Sequence, residues 1–256
     1  MDYALVTGAS RGIGAALAVA LAAEGRNLIL TARSGNELER LRARLLRPGL
    51  AIECVTADLS QPAGPGELLD EVGARGWDVD LLVNNAGLGS GGDFGGLRLE
   101  RELEEVQVNA AAAVALTHGV LAGMRRRRQG AIVQVASTAA FLPVPYMATY
   151  AATKAFLLHF SLGLWAELRA EGIHVMALCP GPTETNFFAA AGIRGRRGQS
   201  AEQVAALALR GLKARRPIVV CGAGNRAMTA AVRWLPRAAA ARTVGWVMRN
   251  WHEGRR

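Results

Sequence analysis

The hydrophobic residues of the chain fall into short continuous runs, separated by longer segments with helical spacing. The runs are rich in Val, Ile and Leu and apolar at successive positions, which is typical of strands in a sheet covered on both faces. Helix-length segments between them indicate right-handed β-α-β units. They predict an α/β fold with a doubly wound, parallel, seven-stranded sheet and helices on both faces. The predicted strands are residues 3–7, 28–31, 51–57, 79–84, 131–136, 173–179 and 218–221.

The segment between the fourth and fifth predicted strands carries a long apolar stripe. Its positions are spaced alternately four and three residues apart, which predicts that they lie on one face of a single helix. The stripe consists of Leu99, Leu103, Val106, Ala110, Ala113, Thr117, Val120 and Met124.

Composition limits the class of protein. With 256 residues, 51% of them hydrophobic, the chain is long enough for one large α/β domain and too apolar to be disordered. Three cysteines, none in a CxxC pair, exclude a disulfide scaffold and favour a reducing compartment. The start of the chain shows neither a basic secretory leader nor an apolar run of membrane-spanning length. We therefore expect a cytoplasmic protein.

The net charge of +9 is concentrated towards the C-terminal end. Residues 194–256 contain 14 basic residues against two acidic ones, whereas the rest of the chain is close to neutral. We expect a main domain at residues 1–224, where the alternation of strands and helices stops. A basic helical tail rich in Ala, Arg and Trp follows at residues 225–256. Pro236 interrupts the tail, so two short helices are more compatible with it than one long helix.

Two roles are open for this tail. It could fold back over the cleft of the main domain, with its tryptophans forming one wall. Arginine and tryptophan on an otherwise apolar helix are also typical of a segment that contacts a membrane surface, where each basic residue near anionic lipid adds about 1 kcal/mol. A basic tail does not by itself imply nucleic acid, and we expect no nucleic-acid partner. The residues concerned are Trp234, Trp246, Trp251, Arg226, Arg233, Arg237, Arg242, Arg249, Arg255 and Arg256.

A glycine-rich turn follows the first predicted strand and precedes an Ala-rich helix. Its glycines let the backbone approach a pyrophosphate closely, and the start of the helix offers free N–H groups and the positive end of a dipole. The turn therefore predicts a dinucleotide site that includes Gly8, Ser10, Arg11, Ile13 and Gly14. Residues 8–12 also fit GxSxG, the nucleophile elbow of hydrolases, with Ser10 as nucleophile. No earlier strand in this sequence supplies an oxyanion loop, and His174 and His252 are unsupported partners, so we reject the hydrolase interpretation.

The end of the second predicted strand bears on the choice of cofactor. An NAD-preferring fold places a carboxylate here to bind the ribose 2′-hydroxyl, but Ala32 and Arg33 offer none. Arg33 and Arg11 are placed to bind a 2′-phosphate instead, although two solvated surface arginines remain an alternative. Asp58, after the third strand, lies where an adenine would sit, and capping of the next turn explains it equally well.

A phenol and an ammonium group are expected on one face of a helix. Tyr150 and Lys154 are four residues apart, so their side chains point into the same cleft. A cation there lowers the pKa of the phenol from about 10, which lets tyrosine exchange a proton with a substrate oxygen. Only two of the 30 basic residues are lysines, so Lys154 stands out. Ser137, at the end of the fifth strand, can donate a second hydrogen bond to that oxygen.

Five motifs in this order resemble the short-chain dehydrogenase/reductase superfamily over roughly residues 1–225. They are TGxxxGxG at residues 7–14, NNAG at 84–87, Ser137, YxxxK at 150–154 and CPG at 179–181. The segments YMATYAATKAF and ALCPGPTET are most similar to a bacterial branch near the 17β-hydroxysteroid dehydrogenase and 3-oxoacyl-CoA reductase types. The resemblance implies a Rossmann-type domain and an oxidoreductase that uses a nicotinamide cofactor.

The same resemblance implies roles for individual residues. Tyr150 is then the general acid/base, and Lys154 lowers its pKa while holding the nicotinamide ribose. Ser137 polarises the carbonyl, and Asn109 completes a proton relay through water. Further cofactor contacts are implied at Asn85, Ala86, Gly87, Pro180 and Thr183.

The resemblance also implies a substrate segment and an oligomer. The segment is residues 184–199, where Phe187 and Phe188 precede Arg194, Arg196 and Arg197. This segment suits an apolar or amphipathic substrate with an acidic end. An exposed lid with solvated arginines is an equal alternative to that role. Subunits of this superfamily commonly pair through the helices that correspond to residues 99–125 and 148–171, so we expect a homodimer or homotetramer.

These observations predict an NADPH-dependent reductase of a carbonyl group, reversible in principle. The alternative is a sensor or scaffold protein that binds NADP(H) and regulates a partner without turnover. A full set of acid/base residues argues against that alternative. His118, His159 and His174 have no metal-ligand spacing, so we expect no metal ion.

Overall fold

The structure of the protein is a computed structural model that describes residues 1–192 and 198–253. Its core is one seven-stranded sheet in the order β3-β2-β1-β4-β5-β6-β7, in which every pairing is parallel. This confirms the predicted fold class and all seven predicted strands. The strands are β1 (Asp2–Thr7), β2 (Asn27–Ala32), β3 (Ile52–Thr56), β4 (Asp78–Asn84), β5 (Gly130–Val135), β6 (Ile173–Cys179) and β7 (Ile218–Val220).

Helices cover both faces of the sheet. Successive residues of a strand point to opposite faces, so Ala4 and Val6 pack with α1, α2 and α8, whereas Tyr3 and Leu5 pack with α3, α5 and α6. The helices are α1 (Gly12–Ala23), α2 (Gly35–Leu45), α3 (Gly64–Ala74), α4 (Leu99–Val106), α5 (Ala112–Arg127), α6 (Ala148–Leu168), α7 (Phe187–Ala190), α8 (Ala201–Lys213), α9 (Ala223–Val232) and α10 (Arg237–Glu253).

The strand order places a crevice at one edge of the sheet. β1 pairs with β2 on one side and with β4 on the other, so the chain reverses its direction of winding at β1. In open parallel sheets, ligands bind outside the carboxyl ends of the strands at such a point. The strand order alone therefore predicts where a ligand-binding crevice lies.

The apolar stripe predicted for one helix face is split by a π-helical segment. Gln107–Ala111 separates α4 from α5, and its wider turn rotates the following helix relative to the preceding one. Leu99 and Leu103 are consequently 64% and 59% exposed, whereas Thr117 and Met124 are buried. The prediction of a single shared face was therefore wrong. The buried face of α4 instead carries two glutamates.

In the described part of the chain, one helical run is long and apolar enough to cross a membrane by length and composition. This run, Leu99–Arg127, consists of α4, the π-helical segment and α5. Core helices of soluble proteins pass the same test, and α5 packs against α3, β4 and β5. The run is accordingly weak evidence for a membrane span.

Candidate active site

A cavity of about 500 Å³ lies at the carboxyl ends of six strands, β1 to β6. Fourteen of the sixteen predicted site residues line it, and Gly14 and Asn109 lie directly behind its wall. The lining residues among the predictions are Gly8, Ser10, Arg11, Ile13, Arg33, Asp58, Asn85, Ala86, Gly87, Ser137, Tyr150, Lys154, Pro180 and Thr183. The fold thus brings residues from six different loops to one place.

Glycine is required at two positions of the turn after β1. Gly8 has a φ of +62°, and a Cβ there would lie 2.9 Å from Ala86 Cα. A Cβ at Gly14 would lie 2.3 Å from Gly8 O and 2.4 Å from Asn85 Nδ2. Any larger residue would push the turn away from the loop after β4. The two glycines keep the turn tight and leave the start of α1 open to the cleft.

The loop after β4 is joined to this turn by hydrogen bonds. The Thr7 hydroxyl accepts from the N–H groups of Asn85 and Ala86, each at 2.9 Å, and donates to Val83 O. Asn85 Nδ2 donates to the carbonyls of Thr7 and Gly8 at 2.9 and 3.2 Å. Since Arg11 provides no side-chain cap to α1, the first amides of that helix are available to an anion.

The two arginines expected to bind a 2′-phosphate both reach this end of the cleft. Arg11 forms an ion pair with Glu37 at 3.0 Å, and Arg33 forms one with Glu104 at 3.5 Å. Both side chains are mostly exposed, so each pair is weak and open to competition from an incoming anion. Ser34, which the sequence analysis missed, lies beside them and also caps α2.

Asp58 caps the next turn, and its contact with an adenine stays a prediction. Its side chain accepts from the N–H and the hydroxyl of Ser60, at 3.0 and 2.7 Å, so it caps the turn after β3. Burial raises the pKa of Asp58, but the hydrogen bonds from Ser60 and the Arg33 charge outweigh it, and the net pKa is lowered. Asp58 also lines the cavity as a carboxylate.

Tyr150, Lys154 and Ser137 converge at the other end of the cleft. Ser137 lies close enough to the phenol of Tyr150 to lower its pKa, and Lys154 Nζ lies 5.7 Å from the centre of the phenol ring. The Ser137 hydroxyl donates to Pro180 O at 3.5 Å and accepts from Ala139 N at 3.1 Å. Lys154 is only 4% exposed, and its ammonium donates to Val135 O at 2.9 Å. The Ser137 hydroxyl, the Tyr150 phenol and the Lys154 ammonium therefore lie close together at this end of the cleft.

The pKa of the phenol differs from the sequence expectation. In the protein alone, burial raises the pKa of Tyr150 to about 12, the hydrogen bond from Ser137 lowers it, and the charge of Glu105 raises it. Burial also lowers the pKa of Lys154 to about 8. The phenol pKa is therefore raised and not lowered in the isolated chain, because burial and the Glu105 charge outweigh the effect of Ser137.

Asn109 holds a loop in place. It lies in the π-helical segment between α4 and α5 and is 1% exposed. Its amide accepts from Leu88 N at 2.8 Å and donates to Leu88 O and Thr153 Oγ1 at 2.9 and 3.0 Å. Lys154 Nζ and Asn109 Oδ1 would both lie 3.3 Å from a Cβ added at Gly87. Asn109 therefore clamps α6 and the loop after β4 behind Lys154, and its relay role stays a prediction.

The substrate segment begins and ends at a pair of backbone contacts. Thr183 bridges to Gln199, and Glu184 N donates to Gln199 O at 3.0 Å. Within the segment, Phe187 packs on Tyr150 with ring centres 5.1 Å apart. It also fills the space beside Gly89, where a Cβ would lie 2.5 Å from its ring. The expected arginines Arg194, Arg196 and Arg197 lie outside the described residues.

Several cleft residues were missed by the sequence analysis. Arg101, on α4, and Met147, before α6, line the cavity. Asn225, at the start of the tail, packs on Gly181 and donates to Cys221 O at 2.6 Å. Arg101 has an ordinary i,i+3 ion pair with Glu104, so nothing in the sequence marks it as a cleft residue.

The two tail tryptophans whose side chains the structure describes do not form a wall of the cleft. α9 and α10 are separated near Pro236, and α10 passes Pro145, to which Gly245 lies close. Trp234 and Trp246 are 89% and 69% exposed, and neither lines the cavity. The fold-back prediction was wrong for these two side chains, because α10 packs beside the cleft rather than over it. The side chain of Trp251 and residues 254–256 lie outside the described part.

The described residues support neither a Ser10 nucleophile of the hydrolase type nor a metal-ion site. His174 lies at the start of β6, at the opposite end of the strands from Ser10, so His174 does not serve that serine. The side chain of His252 lies outside the described residues. Among the residues that the structure describes, no group of three or more His, Cys, Asp or Glu side chains could hold a metal ion.

The fold and the site match known proteins. Residues 2–193 match the short chain dehydrogenase family, so the chain belongs to that family of oxidoreductases. It is 35% identical over 224 residues to hydroxysteroid dehydrogenase-like protein 1 of Gallus gallus, covering 84% of this chain and 67% of that protein. It is 34% identical over 181 residues to a very-long-chain 3-oxoacyl-CoA reductase of Phaeosphaeria nodorum. That match covers 69% of this chain and 53% of the relative, so the chain spans about half of its length.

Solved structures show the same architecture. A short-chain dehydrogenase from Sphingobium yanoikuyae in complex with NADPH superposes with a TM-score of 0.81 at 32% identity, covering 93% of this chain and 98% of that one. Another similar structure contains NAD. Family membership therefore supports a nicotinamide cofactor, and the choice between NADP(H) and NAD(H) depends on this chain's own residues.

Proposed function

We propose that the protein reduces a ketone to an alcohol with NADPH, and that Tyr150 donates the proton. The observation that supports this most directly is the convergence of Tyr150, Ser137 and Lys154 in the cleft that the glycine turn opens. The cofactor, when bound, supplies a hydride to the carbonyl carbon. Every other part of the reaction is assigned to side chains of this chain.

The residues present fit a dinucleotide. The space that a Cβ would fill at Gly8 and Gly14 keeps the turn against the loop after β4, and the free amides of α1 suit a pyrophosphate. Lys154 would hold the nicotinamide ribose. The loop after β6, with Pro180 and Thr183, would contact the nicotinamide ring.

The proton transfer follows from the positions of the side chains. A carbonyl oxygen placed between Ser137 and Tyr150 accepts one hydrogen bond from each hydroxyl. As the carbonyl carbon is reduced, negative charge grows on that oxygen, and the Tyr150 proton moves to it. The Lys154 ammonium then stabilises the phenolate. Phe187 shields the phenol from water on its other side.

NADP(H) is the proposed cofactor, because Arg11 and Arg33 line the cavity where a 2′-phosphate would lie and β2 ends without a carboxylate. Arg11 and Arg33 can exchange their weak carboxylate partners for a 2′-phosphate, and Ser34 adds a hydroxyl. The proposed substrate is an apolar or amphipathic ketone that packs on Phe187 and Phe188. Steroids and 3-oxoacyl thioesters are the substrate classes to test first, since relatives carry those names.

A homodimer or homotetramer is proposed from an exposed apolar surface on α4, α5 and α6. It comprises Leu99, Leu103, Val106, Val114 and Phe156, each at least 37% exposed. Exposed apolar side chains on neighbouring helices favour burial against a second subunit. Light scattering that reports only a particle of about 27 kDa at micromolar concentration would contradict this.

The tail suits peripheral contact with an anionic membrane surface. Trp234, Leu235 and Trp246 are exposed on it, and its described residues include Arg237 and Arg242 but no acidic residue before Glu253. Flotation with anionic liposomes, with and without residues 225–256, tests this.

The free cysteines Cys54, Cys179 and Cys221 agree with a reducing compartment, so the cytoplasm is the proposed location.

The experiment that tests the function follows NADPH absorbance with a panel of ketones that includes steroids and 3-oxoacyl thioesters. We expect NADPH consumption with at least one of them and the matching alcohol as product. Tight NADPH binding with no consumption across the panel would favour the sensor or scaffold alternative.

A further inference from the structure

Two glutamates on the buried face of α4 lie behind the proposed acid/base pair. Glu102 is 6% exposed and Glu105 is fully buried. The Ser90 hydroxyl lies between them, 2.5 Å from Glu102 Oε1 and 2.8 Å from Glu105 Oε2. The Thr149 hydroxyl, near the start of α6, donates to the second oxygen of Glu102. Within the described residues, Glu105 Oε1 is buried without a hydrogen-bond partner.

The hydrogen bonds of this cluster determine how many protons it holds. A serine hydroxyl has one proton, so Ser90 can donate to only one of the two carboxyl groups. The other group, at hydrogen-bond distance from the same oxygen, must carry a proton and donate it to Ser90. Glu105 is the more deeply buried of the two, and its pKa is the one that burial raises, so it holds the proton below neutral pH. Glu105 is then the protonated member, and the cluster carries one negative charge instead of two.

Glu105 is also the acidic group that faces the acid/base pair. α4 packs against α6, and a charge on Glu105 acts on both Tyr150 and Lys154. The remaining charged groups that act on Glu105 are Glu102 and Arg101, both on α4. The proton on Glu105 therefore decides whether Lys154 has a buried counter-charge.

Glu105 loses its proton near neutral pH. Burial raises the pKa of Glu105 to about 7, and Glu102 raises it too. The hydrogen bond from Ser90 and the charges of Lys154 and Arg101 lower it. The pKa of Lys154 is lowered to about 8, because burial outweighs the opposing charges of Glu105 and Cys179.

We propose that Glu105, buried on α4 and sharing Ser90 with Glu102, is a positioning residue for the reaction that acts through Tyr150 and Lys154 on α6. This inference rests on the proposed function, because the reduction needs both of those groups protonated. A neutral residue at 105 would let the pair lose its first proton at lower pH, whichever of the two groups gives it up. Below neutrality Glu105 is uncharged, so its replacement by a neutral residue changes little there.

The first test is the pH profile of kcat/KM for ketone reduction in Glu105→Gln. The glutamine amide can still donate to Ser90 but never carries a charge. We expect the two profiles to coincide below neutral pH and the alkaline limb of the variant to move to lower pH by about one unit, the lower end of the effect of a neighbouring charge. Glu100→Gln is the matched control, because that glutamate is 76% exposed on the same helix. It should leave the profile unchanged.

A uniform loss of activity at every pH would show a purely structural role and overturn the proposal. An unchanged alkaline limb in Glu105→Gln would also overturn it.

A second measurement does not depend on turnover. Infrared difference spectra across pH should show the carbonyl band of a buried carboxylic acid that disappears near neutral pH. The band should be absent in Glu105→Gln and present in Glu100→Gln. If no ketone is reduced but this band titrates, the proposed function fails while the proton position stands. Absence of a titrating band, or its survival in Glu105→Gln, contradicts the inference.

Discussion

The two ends of the cleft are built by different kinds of interaction. At the cofactor end, the backbone decides the geometry: Gly8 and Gly14 permit a close approach, and Asn85 ties the loops together. At the end that holds Tyr150, titratable side chains decide it: Lys154 and Glu105 are buried, and the charge of Glu105 acts on both Tyr150 and Lys154. Substitutions at the first end should therefore change binding, and substitutions at the second should change rate and its pH dependence.

The largest expected effect is at the end that holds Tyr150. Tyr150→Phe keeps the ring against Phe187 but removes the transferable proton. Turnover should fall by roughly 10²- to 10⁴-fold, the usual contribution of a general acid, while NADPH still binds. Steady-state kinetics and an NADPH titration measure the two quantities separately. Tyr3→Phe, at the far end of β1, makes the same chemical change away from the cleft and should be nearly silent. Near-full activity of the Tyr150 variant would refute the assigned proton donor.

The next effect is at the cofactor end. Gly14→Ala places a methyl group 2.3 Å from Gly8 O, so the turn must move. Overpacking of this kind costs about 1–3 kcal/mol, and we expect weaker NADPH binding and a lower melting temperature. Gly73→Ala, in α3, meets no atom within 4 Å and removes a glycine from a helix. That control should bind NADPH normally and be slightly stabilised.

The smallest expected effect is a change of cofactor preference. Charge-assisted hydrogen bonds are worth about 1.5–3 kcal/mol, so wild type should prefer NADPH over NADH by roughly tenfold or more. Arg33→Asp should reverse the preference, because a carboxylate repels a 2′-phosphate and accepts from a 2′-hydroxyl. Titrations with both cofactors measure this. Equal affinities of wild type for NADPH and NADH would contradict the proposed cofactor.

The same contrast explains which features could be predicted from the sequence. Strands, the glycine turn and the Tyr150–Lys154 pair depend on local patterns, and the structure contains all of them. The π-helical segment at Gln107–Ala111 leaves no hydrophobic signature, so the apolar stripe was read as one face. Glu105 had the spacing of a solvated helix residue, and only the packing of α4 on α6 places it in the interior.

The pKa of Tyr150 is a second case. A spacing of four residues places Lys154 near the phenol, but the sequence does not show how strongly the surrounding protein desolvates both groups. The position of the tail is a third case. Its Arg/Trp pattern is compatible with a cleft wall and with an exposed surface, and the packing of α10 beside Pro145 leaves Trp246 exposed.

The most direct test of the account follows the hydride itself. Purified protein is incubated with NADPH deuterated at the transferable position of the nicotinamide and with the ketone panel, and the products are analysed by mass spectrometry. The account predicts an alcohol with one deuterium on the carbinol carbon from wild type, and at most about a hundredth of that rate from Tyr150→Phe. NADPH that binds in the cleft but transfers no deuterium to any ketone would contradict it.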